Sequence, residues 1–203
     1  MTEPEPPPIP PIHLPRSQRI REPWANGQGF SESITSHQPD ELDGEILWRF
    51  NLAEIPGDCE FSELVGIDRQ FMLLDDVKLS LDLGRTQRVR PLETVLFAGE
   101  MAPPCRSSGP ARALNLLERR GRTWGNLELI TLTKPMLFPI GQAACIVVVK
   151  IDGSPTWPGA GDLQSGDAVR QDRPFWGPPH TFPLSGIGRV AVVSIGTVDP
   201  PER

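Results

Sequence analysis

From residue 46 onward, apolar and polar positions alternate with a period of two. In ILWRFNLAEI, Ile46, Trp48, Phe50 and Leu52 fall on one side and Arg49 and Asn51 on the other, the alternation of a strand. VKLSLDL repeats it: Val77, Leu79, Leu81 and Leu83 alternate with Lys78, Ser80 and Asp82, as in a sheet with one dry and one wet face. Further strands are predicted at 94–98, 111–117, 128–132, 145–151 and 189–195, each bounded by glycine, proline or polar residues. The apolar stretch FMLL puts Arg69 near the start of another. No window reads as an amphipathic helix; the best, 60–64, is about one turn before Gly66. Many short strands with Gly and Pro between them predict an all-β sandwich or barrel with little helix.

Two segments lack this order. Residues 1–12 alternate proline with acidic or apolar residues and are expected to be a flexible leader, a composition that also suits an SH3-type ligand. Residues 152–188 set Trp157, Phe175, Trp176 and Phe182 among glycines and prolines and are expected to run as a long surface loop. A turn at Gly166-Asp167 leads into a short strand within it. The aromatics either staple that loop to the core or line a ligand site. The rest, 13–203, is read as a single unit.

Composition narrows the partners. With 38% apolar and 23% charged residues the chain is globular. Twenty basic against 26 acidic residues give a net charge of −6, which offers no field for a phosphate backbone, so nucleic acid is not an expected partner. Cys59, Cys105 and Cys145 are odd in number without CxxC spacing, which argues against a disulfide framework or zinc knuckle and for reduced thiols. The N-terminus has no basic stretch before an apolar one, and the apolar run 143–149 is far short of the roughly 20 residues that cross a bilayer. A cytoplasmic protein without membrane contact is expected, pairing as a homodimer through an edge strand or sheet face.

The usual catalytic signatures are absent. His13, His37 and His180 have no histidine partner at i+2 or i+4, so no metal site and no cofactor are expected. Cys105 has no nearby histidine, and GxSxG, P-loop and GxGxxG patterns do not occur, so no catalytic residue is nominated. What remains is polar residues where physics disfavours them. In Trp24-Ala25-Asn26-Gly27-Gln28-Gly29, two glycines let the backbone bend beside the Asn26 amide, either as a turn pinned by tryptophan or as an approach to a ligand. Asn115 sits inside ALNLL, where its amide needs a partner from the barrel or from a ligand. Arg69 either grips a carboxylate with its two-pronged guanidinium or pairs with an acid such as Asp68.

Taken together, PWANGQG (23–29), ILWRFNLAEI (46–55), FSELVGIDRQFMLLD (61–75), RPLETVLFAGE (90–100) and ARALNLLERRG (111–121) resemble the HutD/Ves family, accessory proteins associated with histidine utilisation. The resemblance spans roughly 14–195 and is strongest in the first 120 residues. It implies a bicupin, with two jelly-roll halves in one chain and a pocket lacking the usual cupin metal ligands. It further implies binding of a small carboxylate, of the urocanate or formylglutamate class, and restraint of flux through histidine breakdown. Carried over residue by residue, Trp24, Asn26, Arg69 and Asn115 fall on the family's polar positions, with Phe61 and Phe97 as apolar walls. One departure stands out: the family pattern reads like PWKNGGG, and this chain has Ala25 for the lysine and Gln28 for the middle glycine. Two other readings stay open. One is a metal-free cupin enzyme, an isomerase or hydrolase with Asp68 or Glu63 as general base; the other is an interaction module that exposes Trp157 and Trp176.

Overall fold

The computed structural model describes residues 9–38, 46–157, 161–173 and 181–198. Among them the only helical pieces are single 3-10 turns at Arg16–Gln18 and Gly99–Met101, and every strand pair with a defined register is antiparallel. Contacts divide the chain into two units, one of residues 1–18 and 128–197 and one of residues 19–127 and 198–203.

The unit of residues 19–127 carries two sheets. The larger has six strands in the order β2 (Arg21–Pro23), β3 (Phe30–His37), β4 (Trp48–Ile55), β11 (Ala111–Arg119), β6 (Ile67–Leu73), β9 (Thr94–Ala98). The smaller has four: β5 (Cys59–Glu60), β10 (Pro104–Ser107), β7 (Leu79–Asp82), β8 (Thr86–Val89). Their alternating apolar positions interleave into one core. Phe71, Leu73, Val95 and Ala113 of the larger sheet pack with Leu79, Leu81, Val89 and Cys105 of the smaller, and each large aliphatic or aromatic side chain buried there contributes about 1.5–3 kcal/mol. Both sheets are open rather than closed into a barrel.

The other unit is built on one six-stranded sheet, β1 (Ile12–Leu14), β15 (Ala168–Asp172), β14 (Cys145–Thr156), β16 (Thr181–Thr197), β12 (Thr123–Leu132), with β13 (Met136–Pro139) paired to β16. Its core gathers Ile146, Val148, Val190, Val192, Trp157 and Phe182.

Several strands exceed their sequence signal. Among the described residues the expected loop at 152–188 is sheet at both ends: β14 and β16 stay paired out to Thr156↔Ser185, with a bulge between Lys150 and Asp152. Glycine makes this possible. Gly153 has φ +72°, and a Cβ there would lie 2.4 Å from the carbonyl oxygen of Ile187, so two backbones meet where side chains would separate them. Trp157 is buried as a staple, and Phe175 and Trp176 lie outside the described residues. The one-turn helix expected at 60–64 does not form. Glu60 pairs in β5 instead, and Phe61, Ser62 and Leu64 follow it without regular structure. The proposed leader lies outside the described residues up to residue 8, and Ile12 already pairs with Arg170 in β1.

Candidate functional site

One face of the larger sheet departs from an apolar core at its open end. In register, Arg49 and Arg69 both stand opposite Leu117, and Asn51 and Phe71 both stand opposite Asn115. Because side chains alternate along each strand, these residues project to one face, while Phe50, Leu116 and Gln70 project to the other. A cavity of about 160 Å³ opens over that patch. Its floor is Arg49, Asn51, Arg69 and Asn115, and its walls are Trp24, Phe61 and Phe71.

Arg69 is 7% exposed and faces no carboxylate among the described residues. Its Nη1 lies 3.5 Å from the carbonyl oxygen of Ser62, and its guanidinium rests 5.0 Å from the Phe61 ring centroid and 5.1 Å from that of Phe97. The adjacent acids are engaged elsewhere. Asp68, the neighbour considered as a partner, points to the opposite face and binds Arg120 at 2.7 Å, and Glu100 binds the same arginine at 2.9 Å. Burial without a counter-charge pulls the Arg69 pKa down to about 10, so the group still carries its charge at neutral pH. Its Nε is buried without a hydrogen-bond partner, and so are Oδ1 of Asn51 and Oδ1 of Asn115. Three orphaned polar atoms in one patch are exceptional, since a buried donor or acceptor left unpaired costs about 1–3 kcal/mol.

The sequence-predicted residues separate here. Trp24, Phe61, Arg69 and Asn115 come together at the cavity. Phe97 does not line it; it stands directly opposite Arg69 on β9, its ring beside the guanidinium. Asn26 does not line the cavity, and its side-chain amide is taken up by Glu60 and Gln28. Nδ2 donates to the carbonyl of Glu60 at 2.8 Å, Oδ1 accepts from the backbone N–H of Gln28 at 3.1 Å, and its backbone N–H reaches Ser62 Oγ at 3.3 Å. Gln28, the departure from the family pattern, ties the same loop from the other side by accepting from the backbone N–H of Glu60 at 2.7 Å. Trp24 is held by its indole N–H, which donates to the Phe30 carbonyl at 2.7 Å, and it meets Phe61 edge-on at 5.5 Å. Gly29 permits this: a Cβ there would sit 2.7 Å from the indole. Ala25, the other departure, lines the cavity with a methyl group. Arg49 and Asn51 were not nominated from sequence, although their alternation with Trp48 and Phe50 was visible.

Other candidates fall away on geometry. Asp68 and Glu63 do not line the cavity, so neither is placed as a general base there. His13 faces Asp167 at 3.5 Å and His37 stacks on Trp48, while His180 lies outside the described residues. Among the described residues no group of three or more His, Cys, Asp or Glu is placed to hold a metal ion, and no helix is long and apolar enough to cross a membrane. A larger groove of about 550 Å³ holds Arg21 and Arg112, but these already bind Glu54 at 2.8 Å and Asp75 at 2.7 Å.

An almost purely antiparallel β-chain of this topology is cupin-like, a class whose more distant solved structures share its fold at 9–11% identity. The chain belongs to the HutD family, whose model matches residues 16–191. It is 35% identical over 100 residues to an uncharacterized 21.2 kDa protein in the hutC 3′ region of Pseudomonas putida, a match covering 48% of this chain and 52% of that protein, about half the length of each. Among solved structures, HutD from Pseudomonas fluorescens SBW25, in a formate condition, superposes with a TM-score of 0.75 at 21% identity, covering 93% of this chain and 100% of the other. A conserved protein of unknown function from Pseudomonas aeruginosa PAO1, PA5104, gives a TM-score of 0.76 at 20% identity, covering 92% and 99%.

Proposed function

We propose that this protein is a two-halved cupin of the histidine-utilisation type that binds a small carboxylate, of the urocanate or formylglutamate class, and thereby modulates histidine breakdown. The observation that carries the proposal is the patch of unpartnered polar atoms around Arg69. A ligand carboxylate supplies the missing anion through a two-bond fork, and the Asn51 and Asn115 carbonyls accept N–H groups from the rest of the ligand. The ring walls of Trp24, Phe61 and Phe71 fit a flat or short hydrocarbon body between those ends. Association with histidine utilisation rests on family membership.

The test is thermal unfolding of the protein with urocanate, N-formylglutamate, glutamate and formate, alongside the Arg69→Met variant. Ligand at 100 times its dissociation constant contributes about 2.7 kcal/mol, which raises Tm by about 5–10 °C in a chain of this size. The expected result is a shift with at least one carboxylate that Arg69→Met removes. No shift with any of them overturns the proposal.

A further inference from the structure

Two cysteines without a role in the site lie beside the segment that walls it. Cys59 on β5 and Cys105 on β10 stand directly opposite each other in an antiparallel pair, as free thiols in contact. Opposed residues in such a pair have Cα atoms about 4.5–5.5 Å apart, inside the roughly 4.4–6.8 Å that a disulfide spans. The two thiols differ in access. Cys59 is half-buried and within reach of a small oxidant, and contact with Cys105 lowers its pKa. Cys105 is 1% exposed, inside the core.

This pair anchors a cavity wall. β5 is an edge strand of two residues that pairs only with β10. Its second residue, Glu60, gives both backbone groups to the 24–29 turn: its N–H donates to Gln28 Oε1 at 2.7 Å, and its carbonyl accepts from Asn26 Nδ2 at 2.8 Å. Phe61, which follows, is itself a wall of the cavity and meets Trp24 edge-on. Ser62 accepts from the Asn26 N–H through Oγ and from Arg69 through its carbonyl.

We propose that Cys59 and Cys105 are a redox modification site for a peroxide-class oxidant, and that their disulfide clamps the segment carrying the Trp24 and Phe61 walls. The Cys59 sulfur takes one peroxide oxygen: an S–O bond forms, the O–O bond breaks, and the departing hydroxide leaves with the thiol proton as water. The Cys105 sulfur then attacks the sulfenic sulfur. The S–S bond forms, the S–O bond breaks, and hydroxide leaves with the Cys105 proton as a second water. The two thiols lose two electrons, and peroxide is reduced to water. Nothing in this step depends on which ligand fills the cavity.

The experiment treats the full chain and its Cys59→Ser variant with hydrogen peroxide, then reads non-reducing peptide maps and amide hydrogen exchange. The expected result is a cross-link between Cys59 and Cys105 within one wild-type chain. Exchange at the amides of Asn26, Gly27, Gln28 and Glu60 is expected to slow by about tenfold or more against the reduced chain. Dithiothreitol is expected to reverse both changes, and Cys59→Ser to show neither. Cys59 recovered only as sulfinic acid, or joined to a second copy of the chain, overturns the proposal. So does an intramolecular cross-link that leaves exchange in the 24–29 turn unchanged.

Discussion

Glu118 offers a quantitative check on the sheet that carries the site. It lies on β11, one residue from Leu117 and therefore on the opposite face, 5% exposed, with Oε2 accepting from Gln70 Nε2 at 2.8 Å. Burial, aided by the nearby charge of Asp68, raises its pKa from the ordinary 4.5 to about 7 against the opposing pull of the Gln70 hydrogen bond. A carboxyl that holds its proton more tightly when folded gives the folded state more bound protons between pH 4.5 and about 7, so stability falls as pH rises through that window. At 1.36 kcal/mol per tenfold change in proton affinity, the full penalty above pH 7 is about 3 kcal/mol. Glu118→Gln keeps the shape and an acceptor for Gln70 but has no proton to lose. Urea unfolding of both proteins at a series of pH values is expected to show near equality at pH 4.5 and a variant more stable by about 3 kcal/mol at pH 8. A difference that does not change between those pH values, or a wild type more stable than the variant at pH 8, refutes the reasoning.

Other outcomes follow from the same geometry. Arg69→Met removes a buried charge that faces no carboxylate, so the ligand-free variant is expected to unfold later than the wild type, by about 1–4 kcal/mol in chemical denaturation, even as it loses ligand. Ala25→Lys adds a cation at the cavity rim and is expected to tighten carboxylate binding by severalfold at low ionic strength, the gain shrinking as salt is added to a titration. Cys59 and Cys105 stand directly opposite each other in β5 and β10, and contact with Cys105 pulls the Cys59 pKa down. Mild thiol oxidant is therefore expected to join these two and spare Cys145, which stands opposite Asp172 and Ile195 rather than another cysteine, as read by non-reducing peptide mapping.

The sequence was legible wherever one property decided the structure. β9 runs over Thr94–Ala98 as its alternation predicts, and Arg69 and Asn115 drew notice because a charge or an amide within an aliphatic run demands a partner. Arg49 and Asn51 passed unnoticed for a physical reason. Period two shows which residues share a face but not whether that face meets water, and here the polar face of β4 is roofed over, leaving Asn51 only 5% exposed. Asn26 shows the converse: asparagine beside glycine suits a ligand and a turn equally well, and the sequence does not show that its amide bonds to Glu60 and Gln28. The outer halves of β14 and β16 were hidden because their pairing depends on the absence of side chains at Gly153 and Gly188.

The chain contains no tyrosine and five tryptophans. Of these, Trp48 and Trp157 are buried away from the cavity, Trp124 is 38% exposed, and Trp24 forms part of the cavity wall. Near-ultraviolet excitation therefore produces emission from indoles with no tyrosine background, and one of those indoles is positioned to change colour and intensity when the cavity fills. Under the proposed ligand binding, this wall doubles as an optical reporter of occupancy, readable in dilute solution without a label and silenced selectively by Trp24→Phe.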